Sequence, residues 1–371
     1  MKKIQAKHNI DRNVARFGLA DSPELCKLVA DSIPAEILRN ARHILDVGQG
    51  CCGISKAIVN RLVNELDVSF FDAILRVHGV DTDLALTNRA KRLGFIHTTC
   101  ADFLQWQPDV KFDVIVGNPP YQRDREVRNI GAPLWPDFIE KSMDILAEDG
   151  YLGFVIPATW MKRLNGKAWK VIKANDLVFC DPDVKWAFPN VGGNGGTFSV
   201  ILLRKRVYQG STRVRNSFSV NFHDDVLPTN NALFSEDNVE FLRQSGEKVM
   251  DLDVKEGGIK PSINSEHYSD VPTETHTYNI YYSGAPNRRS MWCDTPVGDV
   301  GKLKLVVPNS GNVYNNCEIT EKGAGRQTSY VLGSQEELEQ IMKSMMSKES
   351  KKLTELMAEG NYLFPLRWVV R

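Results

Sequence analysis

His43-Ile44-Leu45-Asp46-Val47-Gly48-Gln49-Gly50-Cys51-Cys52-Gly53 decides the fold class. An apolar, β-branched run ends in a carboxylate and a cluster of glycines, and a helical pattern begins at Gly53 and continues to Leu66. Glycines at such a turn permit positive φ angles and let backbone N–H groups approach a ligand. The spacing is neither the G-x-G-x-x-G of dinucleotide enzymes nor a G-x-x-x-x-G-K-[ST] phosphate loop. A carboxylate at the strand end suits a ligand with an amino group better than one with a pyrophosphate. Outward from this turn, strand-like runs recur at Val77–Asp81, Phe95–Thr99, Phe112–Gly117, Tyr151–Ile156, Leu177–Asp181 and Phe198–Arg204. Amphipathic helical patterns at Asp83–Leu93 and Trp135–Leu146 separate several of them. Strands alternating with helices predict an α/β fold with a parallel sheet covered on both faces. With His43–Val47 the strands number seven, and the last two lack an intervening helix, which predicts an antiparallel hairpin at one end.

Composition narrows the class further. A chain of 371 residues with 46 basic and 46 acidic side chains is ordinary for a globular protein, and its zero net charge neither favours nor excludes a polyanionic partner. Apolar runs such as Tyr151–Ile156 and Phe198–Leu203 are strand-sized, far short of a membrane span. The basic start, Met1 to Lys7, is followed by no apolar signal core. Seven scattered cysteines show no disulfide or metal-ligand spacing, so the expectation is a cytoplasmic protein without a metal. After about Lys205 the alternation fades. Residues 208–301 are rich in Asn, Ser, Asp, Gly and Pro, with strand candidates at Thr277–Tyr282 and Lys302–Val307, and Gln335–Glu359 reads as one helical stretch. A boundary near Val207 follows: a catalytic domain over residues 1–206 and a mixed α+β domain over 207–371.

The ends of successive strands carry the chemistry. Gly79-Val80-Asp81-Thr82-Asp83 offers Asp81 as acceptor for a pair of ribose hydroxyls, with Asp83 as a helix N-cap. Ala101-Asp102-Phe103 places a carboxylate beside an aromatic ring, a pair suited to an adenine. Phe112-Asp113-Val114-Ile115-Val116-Gly117-Asn118-Pro119-Pro120-Tyr121 ends its strand in a rigid extended turn. That turn can set the Asn118 amide oxygen and the Pro119 carbonyl to accept hydrogen bonds from one amino group, with Tyr121 as a flat face for a planar ring.

Asn-Pro-Pro-Tyr behind a glycine-rich first strand resembles the amino-methyltransferases, in particular the N6-adenine DNA methyltransferases of the Taq type. In that family the cofactor motif precedes the catalytic motif and a target-recognition region follows both. The resemblance covers about residues 16–205. It implies a Rossmann-like seven-stranded methyltransferase sheet, S-adenosylmethionine as cofactor and double-stranded DNA as partner. It also implies base flipping, and a cognate restriction endonuclease, if there is one, encoded separately. It assigns the cofactor site to Phe17, Asp46, Gly48, Gly50, Asp81, Thr82, Asp102, Phe103 and Asn118, with Asp21 and Pro23 beside Phe17 in an entry motif. Catalysis falls to Asn118, Pro119, Pro120 and Tyr121. Ala187-Phe188-Pro189-Asn190 resembles the segment whose aromatic packs on the extruded base, and Leu305–Gly311 a segment found late in some members. Cys52 departs from the family, standing where many members have glycine. Basic residues at Arg204–Arg206, Arg288-Arg289 and Lys322–Arg326 are candidate DNA contacts. Two other methyltransferase readings stay open, on a protein glutamine or on ribosomal RNA, as does a non-catalytic DNA-binding or cofactor-sensing module.

Overall fold

A computed structural model describes residues 22–122, 133–161, 166–188, 197–215, 217–225, 227–228, 234–246, 248–257, 267–282, 289–309, 313–325, 328–358 and 365–371. They fall into two compact units, Met1–Asp225 and Val226–Arg371.

The first unit is built on one sheet. Its strands are β1 (Ile44–Val47), β2 (Val77–Asp81), β3 (His97–Cys100), β4 (Phe112–Gly117), β5 (Leu146–Pro157), β6 (Asp176–Asp181), β7 (Phe198–Arg204), β8 (Thr212–Val214) and β9 (Phe218–Val220), in the order β3-β2-β1-β4-β5-β7-β6-β8-β9. The strands from β3 to β5 in that order are parallel, and β7 lies antiparallel between β5 and β6. The expected α/β sheet is therefore present, with the expected antiparallel end. Its order reverses at β1, which has β2 on one side and β4 on the other, and ligands bind outside the carboxyl ends of strands at such a switch point.

All four residues of β1 are buried, as a central parallel strand with helices on both faces requires. Helices α1 (Pro23–Ser32) and α2 (Ala35–Asn40) precede β1, and α3 (Gly53–Asn64), α4 (Phe70–Arg76), α5 (Leu84–Arg92), α6 (Trp135–Ile145) and α7 (Lys167–Ala174) run between the strands. Helix α3 buries Ile54, Ile58, Val59 and Leu62, one stripe of a 3.6-residue period, in the main apolar cluster. Arg61, on the same helix, donates to the carbonyls of Ala30 and Ile33 and so satisfies the end of α1.

Three sequence expectations change. The first unit continues past 206 to Asp225, because β8 pairs in parallel with β6 (Phe179 opposite Arg213, Cys180 opposite Val214) and β9 pairs with β8. The sheet thus has nine strands rather than seven among the described residues. The second unit holds α8 (Glu236–Gly246) and two four-stranded sheets. One has the order β10 (Lys255–Glu256), β17 (Thr328–Leu332), β14 (Lys304–Pro308), β15 (Glu318–Thr320). The other has the order β11 (Tyr268–Ser269), β13 (Arg289–Cys293), β12 (Tyr278–Tyr282), β16 (Gly323–Ala324). The single helix expected over Gln335–Glu359 is two, α9 (Gln335–Met345) and α10 (Lys348–Leu356). Ser347 starts the second by accepting from the Ser350 N–H at 3.1 Å. Leu338, Ile341 and Met345 of α9 pack with Leu305 and Val307 of β14, so the apolar stripe is core.

Candidate active site

The glycine turn lies at the carboxyl end of β1. Gly48 and Gly50 take φ angles of +67° and +52°, and the N–H groups of Gly48 and Gln49 donate to the Val80 carbonyl at 2.9 and 3.2 Å. Cys52, the departure from the family pattern, takes φ +66° at the N-cap of α3, so the chain keeps the left-handed path a glycine would follow. An L-residue pays about 1–2 kcal/mol for that conformation. Burial, with Asp46 nearby, pushes the Cys52 thiol up to about 12, so it packs as a neutral side chain. Asp46 is buried, and its carboxylate accepts from the Ser55 N–H at 3.0 Å and the Ser55 hydroxyl at 2.6 Å. It thereby ties β1 to the first turn of α3.

Gln49 escaped the sequence reading. Its buried side chain donates to Ser55 Oγ at 3.0 Å and accepts from Thr98 Oγ1 at 2.9 Å. A relay of hydrogen bonds thus runs from β3 through the turn and α3 to Asp46 on β1. The side chain lies against Gly79, where an added Cβ would stand 2.1 Å from Gln49 Oε1. The readable signal was a glycine inside a strand, which marks close approach.

At the tip of β2, Asp81 Oδ2 accepts from the Gly50 N–H and Oδ1 from the Asp83 N–H, both at 2.9 Å. The carboxylate is half-buried and clamps the glycine turn to its own strand end. Thr82 is exposed, and Asp83 caps α5 through the N–H groups of Ala85 and Leu86. At the end of β3, Asp102 is exposed and accepts from the Leu104 N–H. Phe103 is 3% exposed and stacked on Phe138 of α6 with centroids 5.3 Å apart, so this ring is held in the core.

Asn118 follows β4 directly. A Cβ built on Gly48 would lie 3.9 Å from the Asn118 carbonyl, so the glycine turn and the Asn-Pro-Pro-Tyr turn meet at the switch point. Pro119 is buried, Pro120 half-buried, and the Tyr121 carbonyl accepts from the Leu134 N–H at 3.0 Å, which anchors the turn to the start of α6. The Tyr121 hydroxyl donates to Asn118 Oδ1 at 2.5 Å. Burial pushes this phenol far above its usual range, so it remains a protonated donor. Tyr121 and Phe188 are the two rings the sequence offers to a planar base. Phe198, the first residue of β7, stands between them, 5.0 Å from Tyr121 and 4.3 Å from Phe188 by ring centroids. Phe188 and Phe198 are both buried.

Of the remaining candidates, Phe17, Asp21, Pro189, Asn190, Arg288, Ser310, Gly311 and Arg326 lie outside the described residues, and Pro23 opens α1. Arg289 begins β13 opposite Tyr282. The basic run that closes β7 lies beside carboxylates of the same unit: Arg204 pairs with Asp149 at 2.9 Å, Lys205 with Glu148 at 2.9 Å and Arg206 with Asp176 at 2.8 Å. Lys322 lies 3.5 Å from Glu318. No cluster able to hold a metal and no helix long and apolar enough to cross a membrane occurs among the described residues.

The strand order defines a Rossmann-like α/β domain, with the glycine turn and the Asn-Pro-Pro-Tyr turn together at its switch point. Residues 61–178 match the family described as Eco57I restriction-modification methylase. The chain is similar to the type II methyltransferase M.TthHB8I of Thermus thermophilus, 40% identical over 82 residues, which are 16% of this chain and 19% of the relative. It is also similar to an uncharacterized adenine-specific methylase of Mycoplasma pneumoniae, 34% identical over 122 residues, 30% of this chain and 27% of that protein. A tRNA1(Val) (adenine(37)-N6)-methyltransferase of Actinobacillus succinogenes is 30% identical over 162 residues, 38% of this chain and 61% of that protein. The chain spans about a fifth to a quarter of the first two relatives. Among solved structures, the EcoKI M protein of a type I restriction enzyme overlaps at a TM-score of 0.35 and 13% identity, covering 48% of this chain and 43% of that one. The sheet order, rather than this overlap, defines the fold.

Proposed function

We propose that the chain is an S-adenosylmethionine-dependent methyltransferase of the Taq type acting on the N6 amino group of adenine in DNA, with the target base extruded from the duplex. The observation that carries the reading is the meeting of Gly48 with the Asn118 carbonyl at the switch point, which joins a nucleoside-type site to an amino-group site. The residues fit the cofactor in part. Left-handed Gly48 and Gly50 leave room for close approach, and each oxygen of Asp81, already holding one backbone N–H, retains a lone pair for a ribose hydroxyl. Bound S-adenosylmethionine would supply an electrophilic methyl group.

The rest falls to the chain itself. The adenine amino nitrogen is a poor nucleophile because its lone pair is delocalised into the ring. Asn118 Oδ1 and the Pro119 carbonyl accept hydrogen bonds from its two N–H groups and favour a pyramidal nitrogen, stabilising charge as it develops and aligning the attack without a strong base, and the methylated nitrogen then releases one proton to solvent. The Tyr121 hydroxyl takes one lone pair of Oδ1 and orients the amide, leaving the other for the substrate. Tyr121 and the neighbouring Phe198 and Phe188 provide the aromatic wall for an extruded base, and the second unit would read the surrounding sequence. A separately encoded restriction endonuclease would be the functional counterpart in a modification system.

The test is transfer of labelled methyl groups to unmethylated duplex DNA and, in parallel, to unmodified tRNA. The tRNA arm is motivated by the likeness to the tRNA adenine methyltransferases. We expect N6-methyladenine in DNA. Asn118→Ala should lower turnover by a factor of 100 or more while cofactor affinity is retained, since it removes an acceptor used chiefly in the transition state (about 3 kcal/mol). Label on tRNA, on cytosine or on protein alone would overturn the assignment.

A further inference from the structure

Between β6 and β7 the chain makes a single turn of 3₁₀ helix, Lys185–Ala187, at the carboxyl edge of the sheet that also carries Asn118. The turn is held from below. Val184 N–H donates to the Phe198 carbonyl at 2.8 Å, Ala187 N–H to the Val184 carbonyl and Phe188 N–H to the Lys185 carbonyl at 2.9 Å. Asp183 accepts from the Lys185 N–H, and Asp181 accepts from the Asp183 N–H while pairing with Arg215 at 3.0 Å. Val184, Ala187 and Phe188 are buried in the main apolar cluster. That anchoring leaves Lys185 and Trp186 pointing outward, and the indole is 52% exposed. Trp186 lies two residues before Phe188, whose ring continues the series Tyr121–Phe198–Phe188.

A large aromatic side chain left in water on a well-anchored turn, with an exposed lysine beside it, has the chemistry of a nucleotide contact: a π-face for a base and a cation for its phosphate. Extruding one base unpairs its partner and breaks the stack on both sides, so one unpaired base and two uncovered stacking faces border the site at that moment. We propose that Trp186 stacks on an unpaired base of the DNA beside the extruded adenine and that Lys185 neutralises a flanking phosphate. This inference rests on the reading of the chain as a DNA methyltransferase and adds a binding site to it.

The test uses the full chain, its Trp186→Ala, Trp186→Phe and Lys185→Ala variants, and fluorescein-labelled single-stranded DNA of mixed sequence, with S-adenosylmethionine affinity measured alongside by calorimetry. Trp186→Ala should weaken strand binding roughly 5- to 100-fold at unchanged cofactor affinity. Trp186→Phe, which keeps a π-face, should recover most of it. Lys185→Ala should flatten the salt dependence by about one phosphate contact. If the parent methylates adenine in DNA and Trp186→Ala binds the strand equally well, the inference fails by itself. If the parent binds S-adenosylmethionine yet neither binds nor methylates DNA, the inference falls together with the reading beneath it. Loss of protein–protein association alone in Trp186→Ala, with DNA binding intact, would assign the turn to a protein partner and overturn the proposal.

Discussion

Asp81 has both carboxylate oxygens engaged with backbone N–H groups, one from the glycine turn and one from the start of α5, which gives it a structural role beside the proposed binding one. Asp81→Ala should therefore lose more than ribose contacts. With hydrogen bonds to a charged acceptor contributing about 1.5–3 kcal/mol each, cofactor affinity should fall at least tenfold in calorimetry and the melting temperature should drop with it. Unchanged affinity would place the ribose elsewhere. Gly79 and Gln49 offer a sharper case. Gly79→Ala puts a methyl group into the Gln49 amide and should break its bonds to Ser55 and Thr98, costing about 2 kcal/mol at roughly 1 kcal/mol per neutral bond. Adding Gln49→Ala should then cost far less than it does in the parent, because the two side chains compete for one space. A denaturation cycle giving additive losses would show that the contact does not govern the turn.

At the scale of elements, the strand order puts the chemistry on one edge. β1, β2 and β4 end in the glycine turn, Asp81 and Asn118, while β7 begins there with Phe198 because it runs antiparallel. The strands of the sheet were legible from their apolar runs, and β2, β4 and β7 begin and end where the sequence places them. Short elements were not: α4 and β8 are too brief for a period to emerge, and they form because neighbours supply their partners. In the second unit the break between α9 and α10 depends on a cap rather than on hydrophobic period. Ser347→Ala should remove the acceptor for the Ser350 N–H and cost about 1 kcal/mol in urea denaturation. An unchanged midpoint would mean that packing of Leu353 and Leu356 sets the helix start unaided.

Over the whole molecule, a half-buried histidine and a buried lysine shape the dependence of stability on pH. His78 lies 3.3 Å from His43 and stacks on His97. Burial, then these two neighbours, hold it down to about 4 from the usual 6.5. Between those values the unfolded chain binds a proton that the folded chain refuses, so stability falls as pH drops from 6.5 towards 4. Lys304, buried on β14 with its ammonium donating to the Lys302 and Lys322 carbonyls, is lowered by burial to about 8 from 10.5. The unfolded chain again holds the extra proton, so stability rises as pH climbs from about 8 towards 10.5. Melting temperatures across pH should show both slopes. His78→Gln should flatten the acid one and leave the alkaline one, and a retained acid slope in that variant would locate its origin elsewhere.

The sequence by itself determined the α/β class, seven of the sheet's nine strands and the polar residues that follow them, because apolar period and glycine or proline punctuation are local properties of the chain. Only the tertiary structure decided which of those residues meet. It brought Gly48 to Asn118, laid Gln49 over Gly79, inserted Phe198 between Tyr121 and Phe188, and drew Phe103 into the core on Phe138. It also committed Arg204, Lys205 and Arg206 to carboxylates of the same unit, which no basic run discloses. The physical reason is shared by all of these. Strand pairing joins residues distant along the chain, and the volume and hydrogen-bonding capacity each side chain finds there depend on neighbours that local pattern does not encode.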